Sequence, residues 1–167
     1  MRTILIAIII ILGINLNAQN SDSTKAQIFI NSEFEEKQSY CYEQDGQQNV
    51  NYCLSVIVNE LEVILQTKFE CILQYYDNEI ERSSRNKKDS QIVTNIKNQK
   101  RSLKLSQKHW KKMQDANSEY WNLGGGTISG QYVAESLIKD LKDRILFLDN
   151  IISEESQGTK GLDCNKK

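Results

Sequence analysis

NVNYCLSVIVNELEVILQTKFECILQYYDNEIER, residues 49–82, holds neither proline nor glycine, and its apolar pattern decides the fold. Val50, Leu54, Ile57, Leu61, Ile64, Cys71, Ile72 and Tyr75 recur largely at steps of three and four, which places them on one stripe of an α-helix. Glu60, Glu62, Glu70, Asp77 and Glu81 fall mostly off that stripe. A helix so long, with a single apolar face, needs other helices to cover it.

Working outward, residues 83–88 contain no apolar side chain and read as a connection. A second helix over about 89–122 sets Ile92, Ile96, Gln99, Leu103, Ser106, Trp110, Met113, Asn117 and Tyr120 at alternating steps of four and three, a partly polar bundle seam. Gly124, Gly125 and Gly126 stop it, because glycine takes the positive φ that ends helices. Thr127 or Ser129 is placed to cap a third helix over about 130–152, with Ala134, Leu137, Ile138, Leu141, Ile145, Leu148 and Ile152 inward. On the other side, residues 43–48 form a polar turn around Gly46, preceded by a stretch over 25–42 that leaves a short N-terminal helix open. The chain has no proline, where average usage of about 5% would supply several. The expectation is an all-α fold: a small antiparallel bundle of three main helices, stapled by disulfides.

At the N-terminus, one charge at Arg2 precedes an apolar run from Ile4 to Leu12, extended through Ile14. The run is too short for a spanning helix of about 20 residues and turns polar before the small residue Ala18, so it reads as a signal peptide cleaved near Ala18. The organisation expected is therefore a signal peptide over 1–18, an N-terminal extension over 19–40, a helical domain over 41–152 and a polar tail over 153–167. No stable membrane insertion is expected after cleavage, and the destination is periplasmic or secreted.

Four cysteines in an exported chain point to disulfides, since extracytoplasmic compartments permit them. Cys41 and Cys53 bracket the polar turn and make a short closure. Cys71 lies on the apolar stripe, either as a buried thiol or as the partner of Cys164 in the tail. Zinc is disfavoured, because no C-x₂₋₄-C pair occurs; neither a metal nor a cofactor is expected.

Charge is segregated along the chain. Residues 20–84 carry 4 basic and 12 acidic side chains, residues 85–112 carry 10 and 1, and residues 113–167 carry 6 and 9. Oppositely charged helices lying side by side account for this pattern. The basic segment lacks the aromatic interleaving of a nucleic-acid surface, and no nucleic-acid partner is expected. The single histidine, His109, has no fixed acidic or nucleophilic companion. The glycine triplet is not followed by Lys-Ser/Thr, and neither H-E-x-x-H nor G-x-S-x-G occurs. The chain is expected to be a binding protein rather than an enzyme.

Two stretches resemble the lysozyme inhibitor LprI-like N-terminal domain family of bacterial envelope proteins. The first is Gln48-x-x-Asn51-x-Cys53 followed by Glu62, Leu65 and Phe69; the second is Leu103-x-x-x-Gln107-x-x-Trp110-x-x-x-x-Asp115, the glycines from Gly124, and Arg144-x-x-x-Leu148. The family often carries a cysteine three residues after the aspartate, where this chain has Ser118, and a partner beyond the glycine loop that is also missing. The matched residues read first as structural: Trp110 packs on the seam, and Gln107 and Asp115 flank it within reach of loop backbone. The resemblance implies a periplasmic or secreted inhibitor of lysozyme that protects the cell wall, with a basic lysozyme-type protein as partner. Glu60, Glu62 and Glu70 are the candidate contacts for it, since the acidic segment would attract a basic protein at long range. The alternative is an envelope scaffold or small-ligand module.

Overall fold

The computed structural model describes residues 32–85, 90–158 and 164 of the chain. The expected leader, most of the extension and the end of the tail lie outside these residues. Helix α1 covers 32–42, α2 spans Gln47–Ser84, α3 Ser90–Asn122 and α4 Thr127–Gly158. The all-α expectation holds, and the short N-terminal helix is present.

Helix α2 is the spine, about 57 Å long at 1.5 Å per residue. It starts at Gly46, whose φ of 82° an L side chain would rarely adopt, and the Gly46 carbonyl accepts the first backbone bonds of the helix from Asn49 and Val50. Its buried residues Val50, Leu54, Ile57, Val58, Leu61, Leu65, Ile72 and Tyr76 follow the expected stripe, rotated slightly so that Ile64, Cys71 and Tyr75 are half-buried. Ala134, Ile138, Leu141, Ile145 and Leu148 of α4 complete the core, joined by Phe34 and Cys41 from α1. Each valine, leucine, isoleucine or phenylalanine among them withdrawn from water contributes about 1.5–3 kcal/mol.

Helices α2 and α4 run in the same direction. Gln47 bonds Gln131, Asn51 bonds Thr127, Lys68 bonds Asp149 and Tyr75 bonds Glu155, so a nearly constant offset relates the two helices. Helix α3 runs back between them, antiparallel to both. Helix α4 extends six residues past the expected end, because Tyr75 and Tyr76 both donate to the Glu155 carboxylate at 3.1 and 3.4 Å and hold its last turns to the spine. The helix also starts earlier than expected. Thr127 is its first residue, and the Ser129 hydroxyl donates to the Gly126 carbonyl at 2.7 Å instead of capping a backbone N–H.

The seam expected on α3 is displaced. Only Leu103 and Gln114 are buried, with Ile96, Ser106, Gln107, Trp110 and Asn117 partly covered, while Ile92, Gln99, Met113 and Tyr120 are exposed. The inward register runs Leu103, Gln107, Trp110, Gln114, Asn117. Polar contacts set this rotation: Gln107 and Ser106 accept from Arg144, and Asn117 donates to Asp140 at 3.2 Å.

Both disulfides are formed. Cys41–Cys53 ties α1 to α2 at a sequence separation of 12, and Cys71–Cys164 joins the spine to the tail at a separation of 93. In the chain-entropy account, losing the second closure costs about 4–5 kcal/mol and losing the first about 3. Urea unfolding of Cys71→Ser/Cys164→Ser should therefore show the larger fall in stability, and Cys41→Ser/Cys53→Ser the smaller.

Two tyrosines give stability an alkaline limit. Tyr76 is pushed up to about 12, first by burial and then by the charge of Glu155; Tyr42 is pushed up to about 12 by burial and by its hydrogen bond to Glu135. An unfolded tyrosine ionises near 10.0, so unfolding releases protons between these values. Stability is fully retained below about pH 10 and declines as pH rises towards 12. Urea midpoints measured across that window should drop, and Tyr76→Phe should flatten the fall.

Candidate functional site

The antiparallel return of α3 brings the start of α2 and the α3–α4 turn to one end of the bundle. No lysine or arginine occurs over 38–67 or over 113–138, whereas Glu43, Asp45, Glu60, Glu62, Asp115, Glu119 and Glu135 fall in these two stretches. The end is thus predominantly acidic, with Lys37 and Lys111 at its margin beside Glu60, Glu62 and Asp115. It also exposes large apolar side chains: Tyr120, Trp121, Ile128 and Tyr132 around the turn, and Leu123, 83% exposed, at its tip. The rings form a short ladder, with Tyr120 edge-on to Trp121 at 5.3 Å and Trp121 tilted towards Tyr132 at 6.1 Å. Apolar side chains gathered in this way make the end a candidate interaction surface.

The turn is built to hold one shape. Gly125 and Gly126 take φ of 64° and 79°. The Asn51 amide donates to the Thr127 carbonyl at 2.7 Å, anchoring the first turn of α4 to the spine. Gln47 donates to Asn51 and to Gln131, Gln131 donates to Glu135, and the Tyr42 hydroxyl meets the same carboxylate at 2.8 Å. Gly130 makes the close approach possible, since a Cβ there would lie 2.7 Å from the Asn51 amide nitrogen.

A second polar cluster sits deeper, between α3 and α4. Arg144 is 7% exposed. Its Nε donates to Gln107 at 2.9 Å and its Nη1 to Ser106 at 3.1 Å, while its guanidinium lies 4.5 Å from the Phe147 ring centroid and 5.8 Å from that of Trp110. Burial lowers its pKa from the usual guanidinium value. Among the described residues no carboxylate pairs with it within 4.0 Å. A buried cation held by neutral acceptors and ring faces fixes α3 against α4 through geometry more than charge pairing.

The arrangement of Asn51 against the α4 start, and of Gln107, Trp110 and Arg144 in one cluster, unites motifs far apart in sequence. A family profile described as lysozyme inhibitor LprI matches residues 41–148. The chain belongs to the LprI family. Comparison with curated proteins and with solved structures gives no match.

The LprI motif residues separate into distinct places. Asn51 and the glycines shape the acidic end, and Gln107, Trp110 and Arg144 lock α3 to α4. Gln48 is exposed on the first turn of α2. Among the described residues, neither Gln107 nor Asp115 bonds loop backbone; Asn51 bonds the carbonyl of Thr127 at the start of α4. At 100° per residue Asp115 points about 140° away from Trp110, and its carboxylate lies 3.5 Å from Lys111. The Ser118 hydroxyl donates to the Gln114 carbonyl. Glu60, Glu62 and Glu70 are all exposed but do not converge: Glu60 pairs with Lys37 at 2.7 Å, Glu62 lies 3.9 Å from Lys111, and Glu70 accepts from Gln66. Among the described residues no group of three potential metal ligands occurs, and no helix is long and apolar enough to cross a membrane.

Sequence reading missed Gln47, Gln131, Glu135 and Gly130. A glycine inside a helical pattern was the available signal for Gly130, since it often marks close backbone approach. Asn51→Ala and Gly130→Ala should each destabilise by about 1–2 kcal/mol, because each breaks the same bond to Thr127. The double variant should cost little more than either alone, which a double-mutant cycle from urea unfolding checks.

Proposed function

We propose that this LprI-family chain acts outside the cytoplasm as a non-enzymatic inhibitor of a lysozyme-type muramidase, docking through its acidic, aromatic end. The family match carries the muramidase, and the composition of the end carries the surface. Lysozymes are often strongly basic, and an end where, among the described residues, Glu43, Asp45, Glu119 and Glu135 have no lysine or arginine within 4.0 Å draws such a partner in at long range. Tyr120, Trp121 and Tyr132 supply the rigid aromatic area that dominates binding at interfaces. The hydrogen bonds from Gln47 and Asn51 fix the turn before contact, so little ordering is lost on association. Glu60 and Glu62 act by steering, at the margin of the contact. Two disulfides fit an oxidising compartment, in keeping with the leader read in residues 1–18.

Clearing of a cell-wall suspension by lysozyme measures this directly. The protein at micromolar concentration and low salt should slow clearing, and added salt should weaken the effect. Trp121→Ala should lower potency about tenfold or more with helical content unchanged. Clearing at the uninhibited rate with excess protein would overturn the assignment.

A further inference from the structure

The opposite charge of the molecule is not used by a basic partner. Helix α3 presents Lys97, Arg101, Lys104, Lys108 and Lys111 at steps of four, three, four and three, so they share a face over about 21 Å. They border a groove between α2 and α3 formed by two adjoining hollows of about 620 and 550 Å³, which share Lys104 and Lys108. Among the described residues, Lys97, Arg101, Lys104 and Lys108 have no carboxylate within 4.0 Å; Lys100, alongside them, pairs with Asp77. The two carboxylates in the lining, Glu62 and Asp77, lie beside Lys111 and Lys100, so the four cations without partners leave the groove net positive, which would repel a basic muramidase.

The larger hollow adds a different chemistry. Leu65, Phe69, Trp110 and Leu141 give it an apolar floor, and Gln107 and Gln114 line it. Gln114 is 1% exposed, and although its Oε1 accepts from Lys111 at 2.8 Å, its Nε2 has no hydrogen-bond partner. A buried donor without an acceptor is uncommon and calls for an explanation.

We infer that the α2–α3 groove binds an anionic polysaccharide, with carboxylates along the lysine row and a sugar ring against Trp110. Successive basic residues rise roughly 5 Å along the helix axis, about the length of one pyranose unit. An indole beside two amides suits a sugar, whose CH groups lie on the ring while its oxygens accept from the amides, including the unmet Gln114 Nε2. Nucleic acid fits less well, because the lysine-rich half offers only Ile80 and Leu105 as apolar lining and no ring on which successive bases could stack. The disulfides also place the chain where anionic glycans, not nucleic acids, are the prevalent polyanions.

Titration of the disulfide-bonded protein with polygalacturonate oligomers tests this. Binding should weaken with salt, and a neutral glucan of equal length should not bind. Lys104→Glu/Lys108→Glu should reduce affinity about tenfold or more, whereas Lys139→Glu/Lys142→Glu, the same charge change on α4, should leave it nearly unchanged. Gln114→Met should weaken binding without altering the salt dependence; circular dichroism verifies that each variant is folded, and the exposed lysine pair keeps the test independent of Gln114. Polyglutamate and single-stranded DNA of matched charge should bind about tenfold more weakly. The inference is overturned if polygalacturonate does not bind, if either matched polyanion binds as tightly, or if both charge-reversal pairs have equal effect.

Discussion

The parallel pairing of α2 with α4 is the constraint from which the rest of this molecule follows. Their apolar stripes bury one another along nearly the full length of the spine, and two helices that run the same way can be joined only by a segment that travels the whole distance back. Helix α3 is that segment. Its length, its return direction and the position of its turns are consequences of the α2–α4 core, which is why α3 itself can be largely polar with only two buried residues.

Covering the core from one side with a polar helix requires something other than apolar area to fix its rotation. Arg144 supplies it, reaching from α4 to Gln107 and Ser106 and lying against Trp110. A buried guanidinium without a carboxylate costs desolvation energy. In return its planar group demands acceptors and ring faces in set directions, a requirement that a stripe of leucines would not impose. The rotation it selects turns the lysine row of α3 towards a groove and leaves Met113 in solvent.

Much of this was legible in the sequence because helical periodicity is a local property. The stripes from Val50 to Tyr75 and from Ala134 to Ile152 located two helices to within a few residues, and both cysteine closures were among the pairings considered. The α3 seam expected from the sequence is rotated by about 40° from the observed one, since Met113 and Tyr120 are apolar and Gln107 and Gln114 are not; periodicity counts hydrophobicity, while the actual register is set by a polar bond to a residue 37 positions later. The same limit hid the acidic end. Charge counts along the chain showed segments of opposite sign, but only the return of α3 places residues 38–67 beside residues 113–138. Gln47 and Gln131, 84 residues apart, leave no mark that composition or spacing could detect.

The sequence spacing of the two disulfides also favours an order of assembly, since a short loop costs less entropy to close than a long one. A chain that emerges from its N-terminus presents Cys41 and Cys53 together, only 12 residues apart, long before Cys164 follows. Early closure of that pair removes both of the wrong partners that Cys71 could otherwise take. Cys71 then waits while α3 and α4 are completed, and the native bridge becomes the only one left to form. The short staple thus acts as a proofreader for the long one.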